Sequence, residues 1–144
     1  MVTRVLLHGS KEIDKVIANA LDITYLESEK VKIQEIDLNS QTTQGLSERL
    51  AEDVKSVVAT MAQDITRFFD FYRSRVYGNN VKQVYLCGGG SRLRGIGEFL
   101  EGYINVPVSI LSHKDKVLLK NKRLKERFDK EFVYFTNTIG AVIR

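Results

Sequence analysis

The segment best suited to chemistry is Gly88-Gly89-Gly90-Ser91-Arg92-Leu93-Arg94-Gly95. It follows a short apolar run, Val84-Tyr85-Leu86-Cys87, and precedes Ile96, Phe99, Leu100 and Tyr103, which fall at helical spacing. A glycine turn between a strand and a helix sits where α/β sheets bind ligands. Glycines let the backbone approach an anion closely, and the following helix offers unpaired N–H donors. The spacing is neither GxxxxGK followed by Ser or Thr, nor GxGxxG, which disfavours a P-loop NTPase and a dinucleotide dehydrogenase. A plain strand-to-helix turn is the competing reading. Glu29 and Lys32 form a second pair, three residues apart and therefore on one helical face. A carboxylate can hold ribose hydroxyls, and an ammonium can stack on a base or bond to its edge. The competing reading is a solvated surface pair of little energetic weight.

Other chemistries find little support. His8 and His113 lack a Cys, a second His or a carboxylate at metal-ligand spacing, so no metal site is expected. Cys87 reads as a small apolar filler in a buried strand rather than a nucleophile. As the single cysteine it excludes an intramolecular disulfide and a Cys-based zinc cluster, and it fits a reducing, cytoplasmic setting. No Ser/His/Asp constellation assembles. Phe and Tyr between positions 68 and 72 fall on a long helix and read as core rather than as a base-stacking platform.

These residues need elements to position them. Val2 to Leu7 reads as a strand, and a domain starting directly in one suggests a chain cut from something larger. Gly9-Ser10 opens a helix whose Ile13, Val16, Ile17, Ala20 and Leu21 share one face. Thr24-Tyr25-Leu26-Glu27 is a capping-box pattern, predicting a second helix to about Gln34. Asp37 to Gly45 is polar and reads as a loop. Leu46, Leu50, Val54, Val57, Met61, Ile65, Phe68 and Tyr72 step by three or four, predicting one long amphipathic helix to about Val76, ended by Gly78-Asn79-Asn80. Val84 to Cys87 has the type of a strand buried on both faces. With the glycine turn, a helix and Val106-Pro107-Val108-Ser109-Ile110, it makes a βαβ unit. Phe132 to Ile143 reads as a final helix interrupted by Gly140. The class is α/β.

Of 144 residues, 22 are Lys or Arg and 18 are Asp or Glu, giving +4. The charge is local. Leu111 to Lys130 holds eight cations and three anions, a net +5, so the remainder carries −1. Nucleic acid is not an expected partner, because Phe128 is the segment's only aromatic and a stacking surface needs several. A solvated face is the plain reading, and an anionic membrane surface the functional one. The segment follows the last strand and is expected to lie away from the glycine turn. No apolar run approaches the ~20 residues that span a bilayer, and the first nine residues are too short and too quickly polar for a signal peptide.

Taken in order, these segments resemble the C-terminal half of the PilM family, the actin-like ATPases of type IV pilus assembly and relatives of the cell-division protein FtsA. Val84 to Ile110 carries the strand, glycine turn, helix and Val-Pro-Val strand; Arg4 to Gly9 looks like the strand entering subdomain IIB, and Ile17-Ala18 lies in its first helix. Ser28-Glu29-Lys30-Val31-Lys32 matches the family's Ala-Glu-x-x-Lys with Ser for Ala. Glu48 to Arg75 looks like the long helix before the adenosine motif, and Ile139 to Arg144 like the closing helix.

The resemblance implies an actin-like (ribonuclease H-like) domain II, with an inserted IIB-like helical subdomain over about 9–40, a IIA-like core with the long helix over about 46–110, and a basic segment and terminal helix over 111–144. It implies ATP, with magnesium in the complete protein. Glu29 and Lys32 would lie over ribose and base, Gly88, Gly89, Gly90 and Ser91 would supply backbone contacts, and Arg92 or Leu93 would flank the adenine. No catalytic residue is expected in this chain. The family's N-terminal Asp-x-Gly phosphate loop and second phosphate loop do not occur in it, so it is expected to be inactive alone and an ATPase only with that half. The implied role is a cytoplasmic scaffold at the inner membrane with PilN-like assembly proteins. A non-enzymatic interaction module that kept the fold and lost the nucleotide is the alternative.

Overall fold

The computed structural model describes residues 3–6, 8–40, 48–75, 80–111 and 122–142. Five helices dominate: α1 (Ser10–Leu21), α2 (Tyr25–Gln34), α3 (Glu48–Arg75), α4 (Ile96–Ile104) and α5 (Lys122–Val142). Two three-residue strands, β1 (Val84–Leu86) and β2 (Val108–Ile110), pair in parallel, with Val84, Tyr85 and Leu86 opposite Val108, Ser109 and Ile110. The strand, turn, helix and strand expected from Val84 to Ile110 are all present. Parallel pairing requires a crossover, and α4 supplies it.

One core joins these pieces. Ile13 and Ile17 from α1, Leu50, Val54, Val58 and Ala62 from α3, and Ile96, Leu100 and Ile104 from α4 form a single buried cluster. The α3 stripe therefore runs through Val58 and Ala62, with Val57 and Ile65 at its margin. An ideal helix drifts against any strict seven-residue repeat, so over 28 residues the buried line moves off the simplest periodic reading. On α1 the buried third position is Ala18, whereas Ala20 and Leu21 are exposed. The helix ends at Asp22 in a left-handed cap, whose N–H bonds to the Ala18 carbonyl, and this turns the chain into α2.

The capping box at α2 forms as expected. Thr24 Oγ1 accepts from the Glu27 N–H (3.3 Å), and the Glu27 carboxylate accepts from the Thr24 N–H (2.9 Å). The Thr24 hydroxyl also donates to that carboxylate (2.7 Å). After α2, Ile36 and Leu38 enter the core, and Asp37 bridges in parallel to Arg94. The polar stretch from Asp37 is thus pinned to the glycine unit rather than loose; its residues 41–45 lie outside the described ones.

Several expectations are corrected. Residues 3–6 form no strand, because their backbone has no neighbour among the described residues to pair with, and Val5 is 85% exposed. β1 is not buried on both faces. Val84 and Leu86 pack on the core, whereas Tyr85, on the opposite face, is exposed. Cys87 lies beyond the strand and is exposed, so it fills no core. The last helix starts ten residues before Phe132, within the basic segment, and runs through Gly140 without a break. Leu46, Val76, Gly78, Asn79 and residues 112–121, 143 and 144 fall outside the described residues.

Two outcomes follow. Leu50→Ala should lower unfolding stability by about 2–5 kcal/mol in urea titration, whereas exposed Leu21→Ala should change it by no more than about 0.5 kcal/mol. The Thr24 hydroxyl, and then the Thr24 N–H, hold Glu27 below its ordinary value of 4.5. A carboxyl lowered on folding contributes stability that is present above the ordinary value and lost as pH falls through the lowered one. In Thr24→Val the Glu27 carboxyl should titrate closer to 4.5 by NMR.

Candidate functional site

Helices α1 and α2 pack side by side and bring an ammonium into the interior. Lys32 is 2% exposed, and its Nζ donates to Asp14 Oδ1 (2.6 Å) and Ser10 Oγ (2.9 Å). Ser10 and Asp14 are four apart, so both face α2. An ammonium is buried only when charge and hydrogen bonds replace its water, and α1 provides both. Ser28, one turn before Lys32, is fully buried and donates its hydroxyl to the Tyr25 carbonyl at 2.9 Å. Serine is tolerated there because its own helix satisfies it.

The glycine turn abuts the same α1 residues. β1 ends, Gly88 adopts φ +84, and Gly89–Arg92 forms one turn of 3₁₀ helix. Positive φ at the exit of the strand is readily available only to glycine. Ser91 is buried and donates its hydroxyl back to the Gly88 carbonyl (2.8 Å), closing the turn on itself. A side chain at Gly90 would come within 3.1 Å of Ser10 Cβ. Thus Lys32, Ser10 and Gly90 form one continuous contact. Leu93 is 1% exposed and belongs to the core. Arg94 reaches the Gln34 carbonyl (2.7 Å) and ties the turn to the end of α2.

Glu29 reaches the turn from the other side. Its Oε1 accepts from the Tyr134 hydroxyl (3.3 Å), and the same hydroxyl accepts from Arg92 Nη1 (3.2 Å). The Arg92 guanidinium lies 5.7 Å from the Tyr134 ring centroid. A Cβ at Gly89 would stand 2.9 Å from Tyr134 Cε1, so the ring rests on bare backbone. The Gly88 N–H donates to the Val133 carbonyl at 2.9 Å. Helix α5 therefore lies against the glycine turn through Val133 and Tyr134, which follow the basic segment Leu111 to Lys130. Beside the ring is a cavity of about 520 Å³, whose lining includes Leu26, Glu29, Arg92 and Tyr134. No cluster of three His, Cys, Asp or Glu residues among the described residues could hold a metal ion.

The eight residues singled out from the sequence thus gather around one turn. Glu29, Arg92 and the three glycines line its accessible side, whereas Lys32, Ser91 and Leu93 are buried behind it. Ser10, Asp14 and Tyr134 were missed. Asp14 had a partial signal: it lies on α1 between Ile13 and Ile17, which face the core. Tyr134 had none, since 105 residues separate it from Glu29.

The whole chain, residues 1–144, matches the family model described as type IV pilus assembly protein PilM. No functionally curated protein matches it. Among solved structures, a chain of the "PilM-PilN type IV pilus biogenesis complex" shares the fold, with a TM-score of 0.69 and 23% identity. The match covers 92% of this chain and only 36% of that one, so the chain spans little more than a third of the relative's length. The chain belongs to the PilM family of type IV pilus assembly proteins.

The buried pair has a measurable asymmetry. Asp14→Ala leaves a buried ammonium without its counter-charge and should destabilise by about 3 kcal/mol. Lys32→Met removes the charge and keeps the stem, so its loss in chemical denaturation should be distinctly smaller. Equal losses would show that the ion pair does not organise α1 and α2.

Proposed function

We propose that this chain is the nucleotide-binding part of a PilM-like, actin-family protein that serves as a cytoplasmic scaffold in type IV pilus or related secretion-system assembly. One observation carries the reading. Glu29, through Tyr134, and Lys32, through Ser10, converge on the Gly88–Ser91 turn, within a chain of the PilM family. On this reading residues 9–40 correspond to the inserted helical subdomain and 46–110 to the core of an actin-like domain II. A PilN-like protein at the inner membrane is the partner, by analogy with the complex whose fold it shares.

The available groups fit the nucleoside end of ATP. Glu29 already accepts a hydroxyl, the chemistry a ribose would offer it. Gly88 to Gly90 present backbone without side chains, and Arg92 supplies a planar cation beside the cavity. Lys32 takes a different part from the one its residue type suggests. Its donors hold Asp14 and Ser10, so it positions α1 against the turn instead of touching the base. ATP, when bound with magnesium in a complete cleft, supplies a transferable phosphoryl group. Phosphoryl transfer depends on positioning and neutralising charge around that group, and this reading leaves that task to parts of the protein beyond these residues.

A second reading is an interaction module with this fold and no nucleotide, and Tyr134 resting on Gly89 favours it. Calorimetry separates the two. On the first reading ATP and ADP bind, and Glu29→Ala weakens both by about tenfold, the loss of one charged hydrogen bond. No phosphate is released by the chain alone. Wild-type affinity in Glu29→Ala would sink the site assignment, and no binding of either nucleotide would favour the second reading.

A further inference from the structure

We propose that α5 is a displaceable strap whose Tyr134 holds the nucleoside's place, so that nucleotide and docked α5 exclude one another. This rests on the nucleotide reading above.

Five contacts make the strap. Tyr134 places its ring on Gly89, where even a methyl group would come within 2.9 Å of Cε1. Its hydroxyl donates to Glu29 Oε1 and accepts from Arg92 Nη1. The Arg92 guanidinium stands over the ring. The Val133 carbonyl takes the Gly88 N–H, one of the turn's own donors. A flat aromatic face on glycine backbone, a hydroxyl on a carboxylate and a guanidinium beside the ring are what a nucleoside would use in the same place. The side chain thus uses up the groups that would recognise the ligand. Two occupants of one set of donors and acceptors cannot be accommodated together.

The strap is also weak enough to leave. Tyr134 remains 40% exposed, so its bonds compete with water, and both exceed 3.1 Å. The adjoining cavity of about 520 Å³ is within the size range of small-molecule sites. Phe132, 7% exposed, is the neighbouring anchor that keeps α5 near the turn when Tyr134 swings out. A protein whose competent state is only partly populated binds with an affinity reduced by that fraction. Removing the tyrosine should therefore raise apparent affinity.

The test is calorimetric titration of ATP and of adenosine into the full chain, wild type, Tyr134→Ala and Tyr134→Phe. Tyr134→Ala should bind both about tenfold more tightly, and Tyr134→Phe, which keeps the ring and loses the two hydrogen bonds, by an intermediate factor. Hydrogen exchange at the Gly88 amide, without ligand, should be faster in Tyr134→Ala than in wild type. Equal or weaker binding in Tyr134→Ala overturns the strap while leaving the nucleotide reading standing. No binding by any of the three proteins overturns the nucleotide reading, and the strap with it.

Discussion

The structure depends on one ammonium. Lys32 lies between α1 and α2 with its charge matched by Asp14 and its second bond taken by Ser10. Without those partners the group would have to be hydrated or neutral, and α2 could not pack its Ser28 and Lys32 face inward. With them, α1 is fixed in rotation as well as in place, because Ser10 and Asp14 must both point at the same nitrogen. Ile13 and Ile17 then turn towards α3, and Ser10 is set against Gly90. Core packing holds the fold together; the ion pair decides which side of α1 faces the glycine turn.

The glycine turn belongs to the β1–α4 crossover, and the link from α2 to that crossover is short and polar. The Asp37 to Arg94 bridge and the Arg94 bond to the Gln34 carbonyl join the end of α2 to the glycine turn. Ile36 and Leu38 bury that junction. The turn is thus backed by packed residues on one side and met by α5 on the other.

Local patterns were legible wherever one element decided the outcome. The capping box placed the start of α2, the apolar steps of α3 identified the long helix, and the glycines marked the turn. What was not legible depended on partners distant in sequence. A strand at residues 3–6 needs a neighbouring edge; the burial of Lys32 depended on Asp14, 18 residues earlier; Tyr134 met Glu29 across 105. Charge patterning was equally silent on the docking of α5, which is decided by Val133 and Tyr134, beyond the end of the basic segment.

The burial of Lys32 also restricts descent. Arginine at 32 would bring a wider, planar fork where one nitrogen meets Asp14 and Ser10, whereas a neutral side chain leaves a carboxylate that is partly exposed to water. A charge-reversed Asp14 would place two cations together. The restriction is therefore one-sided: as long as position 32 keeps its ammonium, position 14 must keep a carboxylate, whereas loss of the lysine releases position 14 to vary.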